Sequence, residues 1–516
     1  MARPSSPDVI IIGSGVGGGT TAYQLASQGA HVLLLERGEY IPREDDNWNA
    51  QAVYIDKKYN GKDTWLDGAN KPFTPNVFYN VGGATKFFGC TMIRFRERDF
   101  ETVEHFGGLS PAWPISYAEL EPYYGRAEAL FHTMGEYGVD PTDPPRSTPY
   151  PFPGVKSDKP MAELVQKLRQ QGLKPYSQHA AIHMPPNGGC TRCDTCDGYP
   201  CKIDAKADAE KSVVRPALAT GRVELRTGTL ARRLMLAANG KEINGVEVER
   251  GGRVEVLTAK IYIVSASAIN SAALLLRSAT DQAPNGVSNS SGLVGRNYMA
   301  HNNSAMMAVS IAKNETVFQK SVAINDFYYG DDDFKYPMGC IMSLGKLKAG
   351  VMTASIPWLP QFANRALAER SYDWWIMSED LPDPDNRVTI DGGMIKIVAK
   401  RTNMRPHQEL KKRAARAMRR AGLPLILTKQ MPVATTSHQC GTVRFGNDPK
   451  SAALDPFCRS YNHKNLFVVD ASFFPSSAAV NPALTIAAQA LRVSEHIMAT
   501  EFEAQPAATS ITKGTR

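Results

Sequence analysis

At 516 residues the chain is too long for one simple core, and it reads as two intimately joined domains. Its 43% hydrophobic and 21% charged content is an ordinary globular balance, and no uncharged apolar run reaches the ~18 residues of a membrane-spanning helix. The net charge of +8 is spread over 59 basic and 51 acidic residues without a long basic block, which argues against nucleic-acid and membrane partners.

The N-terminal stretch Met1-Ala2-Arg3-Pro4-Ser5-Ser6-Pro7 has no apolar core and no small-residue cleavage site, so the expected compartment is the cytoplasm. Residues 8–12 form a short β-branched run, 20–27 read as a helix and 31–35 as a second strand, giving one βαβ unit. Between the first strand and the helix, Gly13-Ser14-Gly15-Val16-Gly17-Gly18 fits G-x-G-x-x-G. Gly13 allows the tight turn, Gly15 lets backbone approach a pyrophosphate, and Gly18 lets the helix pack closely on the sheet. The helix N-terminus then offers free N–H groups and a positive dipole end to the phosphates. Glu36 closes the second strand, where a carboxylate accepts from both ribose hydroxyls and repels a 2′-phosphate, which argues against NADP. The motif alone leaves FAD and NAD open. Its N-terminal position, with a matching region at the other end of the chain, favours FAD.

Further along, the proline-rich passage 138–154 reads as a surface connector, and 161–171 as a helix. Residues 223–249 form short strands around the turn signal Asn239-Gly240, 261–266 a strand and 267–277 the helix after it. Strand-like runs at 306–311 and 339–344 precede a helix at 408–421, on which Lys411, Lys412, Arg413, Arg416, Arg419 and Arg420 read as a solvated face. The fold class expected is α/β (α+β overall): a Rossmann-like nucleotide-binding domain and a substrate domain on a mainly antiparallel sheet with helices. The first is assigned to 1–155, 201–300 and 431–500. A cysteine-containing substrate-side insert occupies 156–200, the substrate-binding domain 301–430 and a loose polar tail 501–516.

Near the C-terminus stand Ser437-His438-Gln439-Cys440-Gly441-Thr442-Val443-Arg444-Phe445-Gly446, then Asn465-Leu466-Phe467-Val468-Val469-Asp470-Ala471-Ser472-Phe473-Phe474-Pro475, then Asn481-Pro482-Ala483-Leu484-Thr485-Ile486 opening a helix. With Gly82-Gly83-Ala84-Thr85, Trp113-Pro114-Ile115, Leu120-Glu121-Pro122-Tyr123-Tyr124 and Val294 to His301, these segments resemble the glucose–methanol–choline (GMC) oxidoreductases over most of the chain. Alcohol oxidation needs a base for the hydroxyl proton and an acceptor for the hydride, and an imidazole titrates near working pH. The resemblance implies FAD as cofactor, His438 as base and Asn481 as hydrogen-bond donor to the developing alkoxide, the pair facing flavin N5. It implies cofactor contacts from Gly13, Gly15, Gly18, Glu36, Gly82, Gly83, Thr85 and Asp470, and from Pro482 at the start of the last helix, whose dipole stabilises charge at flavin N1 by ~1 kcal/mol. Asn481 can also cap that helix. His301 and His463 read as structural or surface residues.

Some relatives of this type anchor flavin through a histidine after the Gly-Gly turn. Here the stretch is Thr85-Lys86-Phe87-Phe88-Gly89, so dissociable FAD is expected, with Cys90 a secondary anchor candidate. Cys190-x2-Cys193-x2-Cys196-x4-Cys201 leaves three readings open: reduced thiols or disulfides, zinc, or an iron–sulfur cluster, and no metal ligand is assigned. Asp197-Gly198-Tyr199 and Lys206-Ala207-Asp208 resemble bacterial members acting on sugars, glycosides or aminoglycoside-type aminocyclitols. Trp374 and Trp375 are candidate stacking platforms, with hydrophobic core the favoured reading. The expected activity is oxidation of such an alcohol, with oxygen or another electron acceptor. The alternatives are a lyase on the same fold, or a dehydrogenase subunit passing electrons through an iron–sulfur cluster.

Overall fold

The short runs Val-Ile-Ile-Ile, Val-Leu-Leu-Leu and Ile-Tyr-Ile-Val are buried at every position, as parallel strands covered on both faces must be. A computed structural model describes residues 6–502 of the protein except Asn187, Pro357 and Thr436, so nearly all of the 501–516 tail lies outside the described residues. In chain order the elements that build the site are β1 (Val9–Ile12), α1 (Val16–Ser27), β2 (Val32–Leu35), α2 (Tyr117–Leu130), β3 (Tyr176–Ser177), β4 (Val223–Arg226), β5 (Ile261–Val264) and α3 (Ala268–Arg277). They continue with β6 (Asn302–Val309), β7 (Val322–Ile324), β8 (Cys340–Ser343), β9 (Ser371–Ser378), α4 (Met404–Arg420), β10 (Leu425–Gln430), β11 (Leu466–Val468) and α5 (Ala483–Glu501).

The first sheet has the order β4-β2-β1-β5-β11 and is parallel throughout. Its strands come from widely separated stretches of chain. β1 lies between β2 and β5 in the register Val9 to Val32 and Val9 to Ile261, and β11 adds at the far edge beside β5. The helices α1 and α5 pack on each other over this sheet, and α2 packs on α5. Tyr124 of α2 shares a 2.7 Å hydroxyl hydrogen bond with Thr485 of α5. The second sheet, β10-β6-β9-β8-β7-β3, is antiparallel throughout. Helix α4 covers one of its faces with Leu410, Ala414, Ala417 and Met418 in a separate core. This is the α/β architecture expected, with a Rossmann-like sheet and an antiparallel one.

Several boundaries differ from expectation for identifiable reasons. Helix α1 begins at Val16 rather than 20, so Gly17, Gly18 and Gly19 are helical. Their helix propensity is poor, but side chains at Gly17 and Gly18 would collide with neighbouring backbone, and close packing decides the matter. Helix α4 begins at Met404, a turn before 408, because Pro406 sits in the first turn, where its missing N–H breaks no bond. The Asn239-Gly240 turn is present, with Gly240 at φ +67°. The proline-rich passage contributes only the strand Phe152–Pro153.

Candidate active site

The G-x-G-x-x-G turn is packed hard on one side and open on the other. Gly13 has φ +104°, and a Cβ there would lie 2.2 Å from the Ser265 carbonyl oxygen. A Cβ on Gly18 would lie 1.9 Å from the Gly13 carbonyl oxygen, and one on Gly17 would lie 1.9 Å from that of Val469. At Gly15, the N-cap of α1, a Cβ would meet nothing within 4 Å, and no side chain caps the helix. The uncapped N–H groups of the first turn are therefore available to an anion. Gly17 occupies an x position of G-x-G-x-x-G; its constraint comes from Val469, just past β11, which no local pattern reveals.

Glu36 is buried, and its carboxylate accepts from Ser14 N (3.1 Å), Ser14 Oγ (2.7 Å) and Gly38 N (3.0 Å). Burial raises its pKa, and these donors oppose the rise. Gly82 (φ +88°) and Gly83 (φ +57°) turn the next loop onto the fingerprint. Gly82 N donates to Ser14 Oγ at 3.2 Å, and a Cβ on Gly83 would lie 3.0 Å from Gly15 Cα. Thr85 donates to the Gly82 carbonyl (2.6 Å) and accepts from Ala209 N (3.0 Å), so its hydroxyl holds the loop together. Asp470, just past β11, accepts from Ser271 Oγ (2.5 Å) and Ser472 N (2.8 Å), and burial raises its pKa. An open helix N-terminus, a buried acid at the end of β2 and a second buried acid beyond β11 fit a dinucleotide laid across this sheet.

The two residues assigned to the chemistry meet. His438 Nε2 lies 3.2 Å from Asn481 Nδ2, just before α5. Pro482 stands at the N-cap with helical dihedrals, and no side chain caps the helix there. The Asn481 carboxamide turns to His438, and its buried Oδ1 has no partner among the described residues. His438 has φ +55°, a left-handed conformation that costs a non-glycine residue roughly 1–3 kcal/mol and concentrates at functional sites. Burial lowers its pKa well below the usual value, with His301 and Lys320 adding to the effect, so the imidazole is neutral at pH 7. His301, set aside in the sequence as structural or surface, lies against it: Nδ1 to Nδ1 is 2.9 Å. The two rings come from distant segments joined by an antiparallel bridge between Met299 and Cys440, which no sequence spacing announces. His463 is buried.

Other motif residues brace this centre. Trp113 Nε1 donates to Ser476 Oγ at 2.8 Å, tying the Trp-Pro-Ile stretch to the segment that leads to Asn481. Lys86 pairs with Asp208 (3.0 Å) and Glu210 (2.6 Å). Lys206 Nζ donates to the carbonyls of Phe88 (3.0 Å), Tyr199 (2.6 Å) and Cys196, clamping the cysteine segment onto the loop after Gly83. All eight cysteines are free thiols, and Cys90 Sγ lies 3.8 Å from Cys196 Sγ. Among the described residues no three His, Cys, Asp or Glu side chains converge to hold a metal ion. Trp374 is fully buried in the core under α4, and Trp375 packs partly buried against the larger core, so the core reading of this pair holds.

Known proteins resemble the chain throughout. The GMC oxidoreductase family profiles match residues 80–303 and 382–490, and an FAD-dependent oxidoreductase profile matches 8–141. The 6'''-hydroxyparomomycin C oxidase of Streptomyces lividus is 31% identical, covering 95% of this chain and 91% of that protein. Paromamine 6'-oxidase of Streptomyces fradiae is 30% identical, over 94% and 90%. The fructose dehydrogenase large subunit of Gluconobacter japonicus is 26% identical, over 96% and 98%. Pyridoxine 4-oxidase from Mesorbium loti superposes with a TM-score of 0.66 at 18% identity, covering 95% of this chain and 99% of that one, which establishes the shared fold. No described helix is long and apolar enough to cross a membrane.

Proposed function

The chain belongs to the GMC oxidoreductase family, and on that premise we propose that this FAD-dependent enzyme oxidises a hydroxyl of an aminocyclitol glycoside or related sugar, with His438 as the base and oxygen as electron acceptor. The observation that carries the reading is the 3.2 Å approach of His438 to Asn481 at the N-terminus of α5. The G-x-G-x-x-G turn and α1 would hold the cofactor diphosphate, Glu36 a ribose, and the Gly82-Gly83 loop and Asp470 would support the rest of the cofactor. Bound FAD supplies the two-electron acceptor for the carbinol hydrogen.

The protein's own part is proton handling and orientation. A neutral His438 takes the hydroxyl proton, and burial keeps it neutral. The Asn481 amide donates to the oxygen as negative charge grows there, and the dipole of α5 favours that charge. Asp99, Glu379, Tyr328 and Tyr329 line a small pocket that reaches Ala479. The names of the two oxidases at 31% and 30% identity support oxygen and an aminoglycoside.

The test is anaerobic mixing with paromamine, neutral sugars and simple alcohols, watching FAD absorbance. Bleaching by paromamine followed by recovery in air is the expected result. Bleaching by neutral sugars alone overturns the substrate class, recovery only with a dye overturns oxygen, and turnover without bleaching reveals a lyase. His438→Ala should keep FAD but slow bleaching by roughly 10²–10⁴-fold. An unchanged rate removes His438 from the role.

A further inference from the structure

A base must present a lone pair, and an imidazole has two nitrogens on which its single proton can sit. Which one carries it is set by the partner of the other. Around His438 the partners form a chain that ends on an atom of fixed character. His301 Nε2 lies 3.0 Å from the Ser477 carbonyl oxygen, which can only accept, so this nitrogen carries a proton. His301 is 2% exposed, and burial lowers its pKa, so the ring is neutral and its Nδ1 has the lone pair. That lone pair faces His438 Nδ1 at 2.9 Å, so His438 Nδ1 must be the donor. His438 Nε2 is then unprotonated and accepts from Asn481 Nδ2 at 3.2 Å. A carbonyl at one end and an amide N–H at the other demand the same tautomer.

The placement of His301 is built in. Met299 and Cys440 exchange backbone hydrogen bonds at 3.0 and 2.9 Å, and the antiparallel register carries residues 301 and 438 towards each other. Asp380 braces both flanks: its Oδ2 accepts from Ala300 N at 3.1 Å, and its carbonyl accepts from Ser477 Oγ at 3.0 Å. The charged groups around the pair are Glu379 towards His301 and Lys320 towards His438, with Asp380, Lys400 and Arg401 lining the pocket beside His301.

We propose that His301 is a positioning residue that locks His438 in the Nδ1–H tautomer and so keeps the Nε2 lone pair beside Asn481. The proposal deepens the reading of His438 as the base and rests on it. Onward transfer past His301 is excluded by the same geometry, because its outer nitrogen ends on a carbonyl that takes no proton. The proton removed from the substrate hydroxyl is received on His438 Nε2 and travels no further than the His438–His301 pair.

The first measurement needs neither substrate nor variant kinetics. In FAD-loaded protein labelled with ¹⁵N-histidine at pH 8, ring-nitrogen correlations for His438 should show the Nδ1–H pattern, with assignment by His438→Gln. The Nε2–H pattern in the native protein overturns the proposal. In His301→Leu the pattern should change to Nε2–H or a mixture, and anaerobic bleaching by paromamine should slow roughly 10²-fold with little change in KM. His301→Asn, whose carboxamide oxygen can still accept from Nδ1–H, should retain the native tautomer and recover most of the rate. Native tautomer and rate in His301→Leu defeat the proposal, and so does a His301→Asn protein that folds and binds FAD but is as slow as a leucine variant. If His438→Ala leaves bleaching unchanged, the base assignment fails while the tautomer result stands separately.

Discussion

Gly17 offers the sharpest test of how the nucleotide site is assembled. Its Cα faces the Val469 carbonyl so closely that an added methyl carbon would lie 1.9 Å from that oxygen and 2.6 Å from Ser265 Oγ. Relief requires α1 or the end of β11 to retreat by about 1 Å, and because the obstacle is backbone the cost falls at the upper end of the ~1–3 kcal/mol of overpacking. The same shift breaks the 2.7 Å hydrogen bond from Ser265 Oγ to the Val469 carbonyl, adding about 1 kcal/mol. Helix propensity returns about 1 kcal/mol of this, so Gly17→Ala should lose about 2–3 kcal/mol net and roughly 2–3 °C of Tm for a chain of this length. It should also retain little FAD after desalting, since Asp470 is displaced with Val469. Gly19→Ala is the control. Its methyl meets Val213 Cγ2 at 2.9 Å and Val214 Cγ2 at 3.0 Å, with backbone no nearer than the Ser14 carbonyl oxygen at 3.4 Å, and alanine gains about 1 kcal/mol of helix propensity. Gly15→Ala should keep its Tm without FAD and bind FAD weakly, because its methyl enters open space. Thermal unfolding of the FAD-free proteins, with flavin content by absorbance, reads all three. A Gly17→Ala protein with native Tm and native flavin content refutes the argument.

Two further outcomes follow from buried charge. Arg94 grips Glu128 through two hydrogen bonds of 2.9 and 2.8 Å with both side chains 1% exposed, so Glu128→Ala should cost about 3–5 kcal/mol in urea unfolding, and a loss under 1 kcal/mol contradicts this. His407 is buried between Ser304 Oγ (2.8 Å) and Ser378 Oγ (3.0 Å), and burial, with Lys411 and Arg401, pushes its pKa from 6.5 down to about 3. The unfolded chain binds that proton first, so the contribution of His407 is complete above pH 6.5 and is lost as pH falls towards 3, at up to about 1.4 kcal/mol per pH unit. His407→Gln should flatten stability against pH between 6 and 4.5, and an unchanged slope in that window would falsify the assignment.

The sequence makes legible what depends on neighbours along the chain. The β1–α1–β2 unit declares itself because strand, glycine turn, helix and acid follow one another, and the His438 and Asn481 segments stand in recognisable motifs. Contacts across the chain are less visible. Nothing near Gly17 says that β11 will press on it, and nothing near His301 says that a bridge at Met299 will bring it to His438. The two-residue strand β3 carries too little pattern to be read, although it completes the antiparallel sheet. The four clustered cysteines suggested metal or redox chemistry by spacing. In the fold Lys206 ties their segment down, an interaction between an ammonium group and backbone carbonyls that leaves no trace in spacing.

The order in which this sheet is stitched has a temporal consequence. β1 finds its last companion strand only through β5, and the edge beside β5 is filled by residues 466–468. A chain leaving the ribosome can form its first βαβ unit early, yet it cannot complete this sheet until nearly all of it has been translated. Such distant pairing makes for slow folding and prolonged exposure of apolar strand edges.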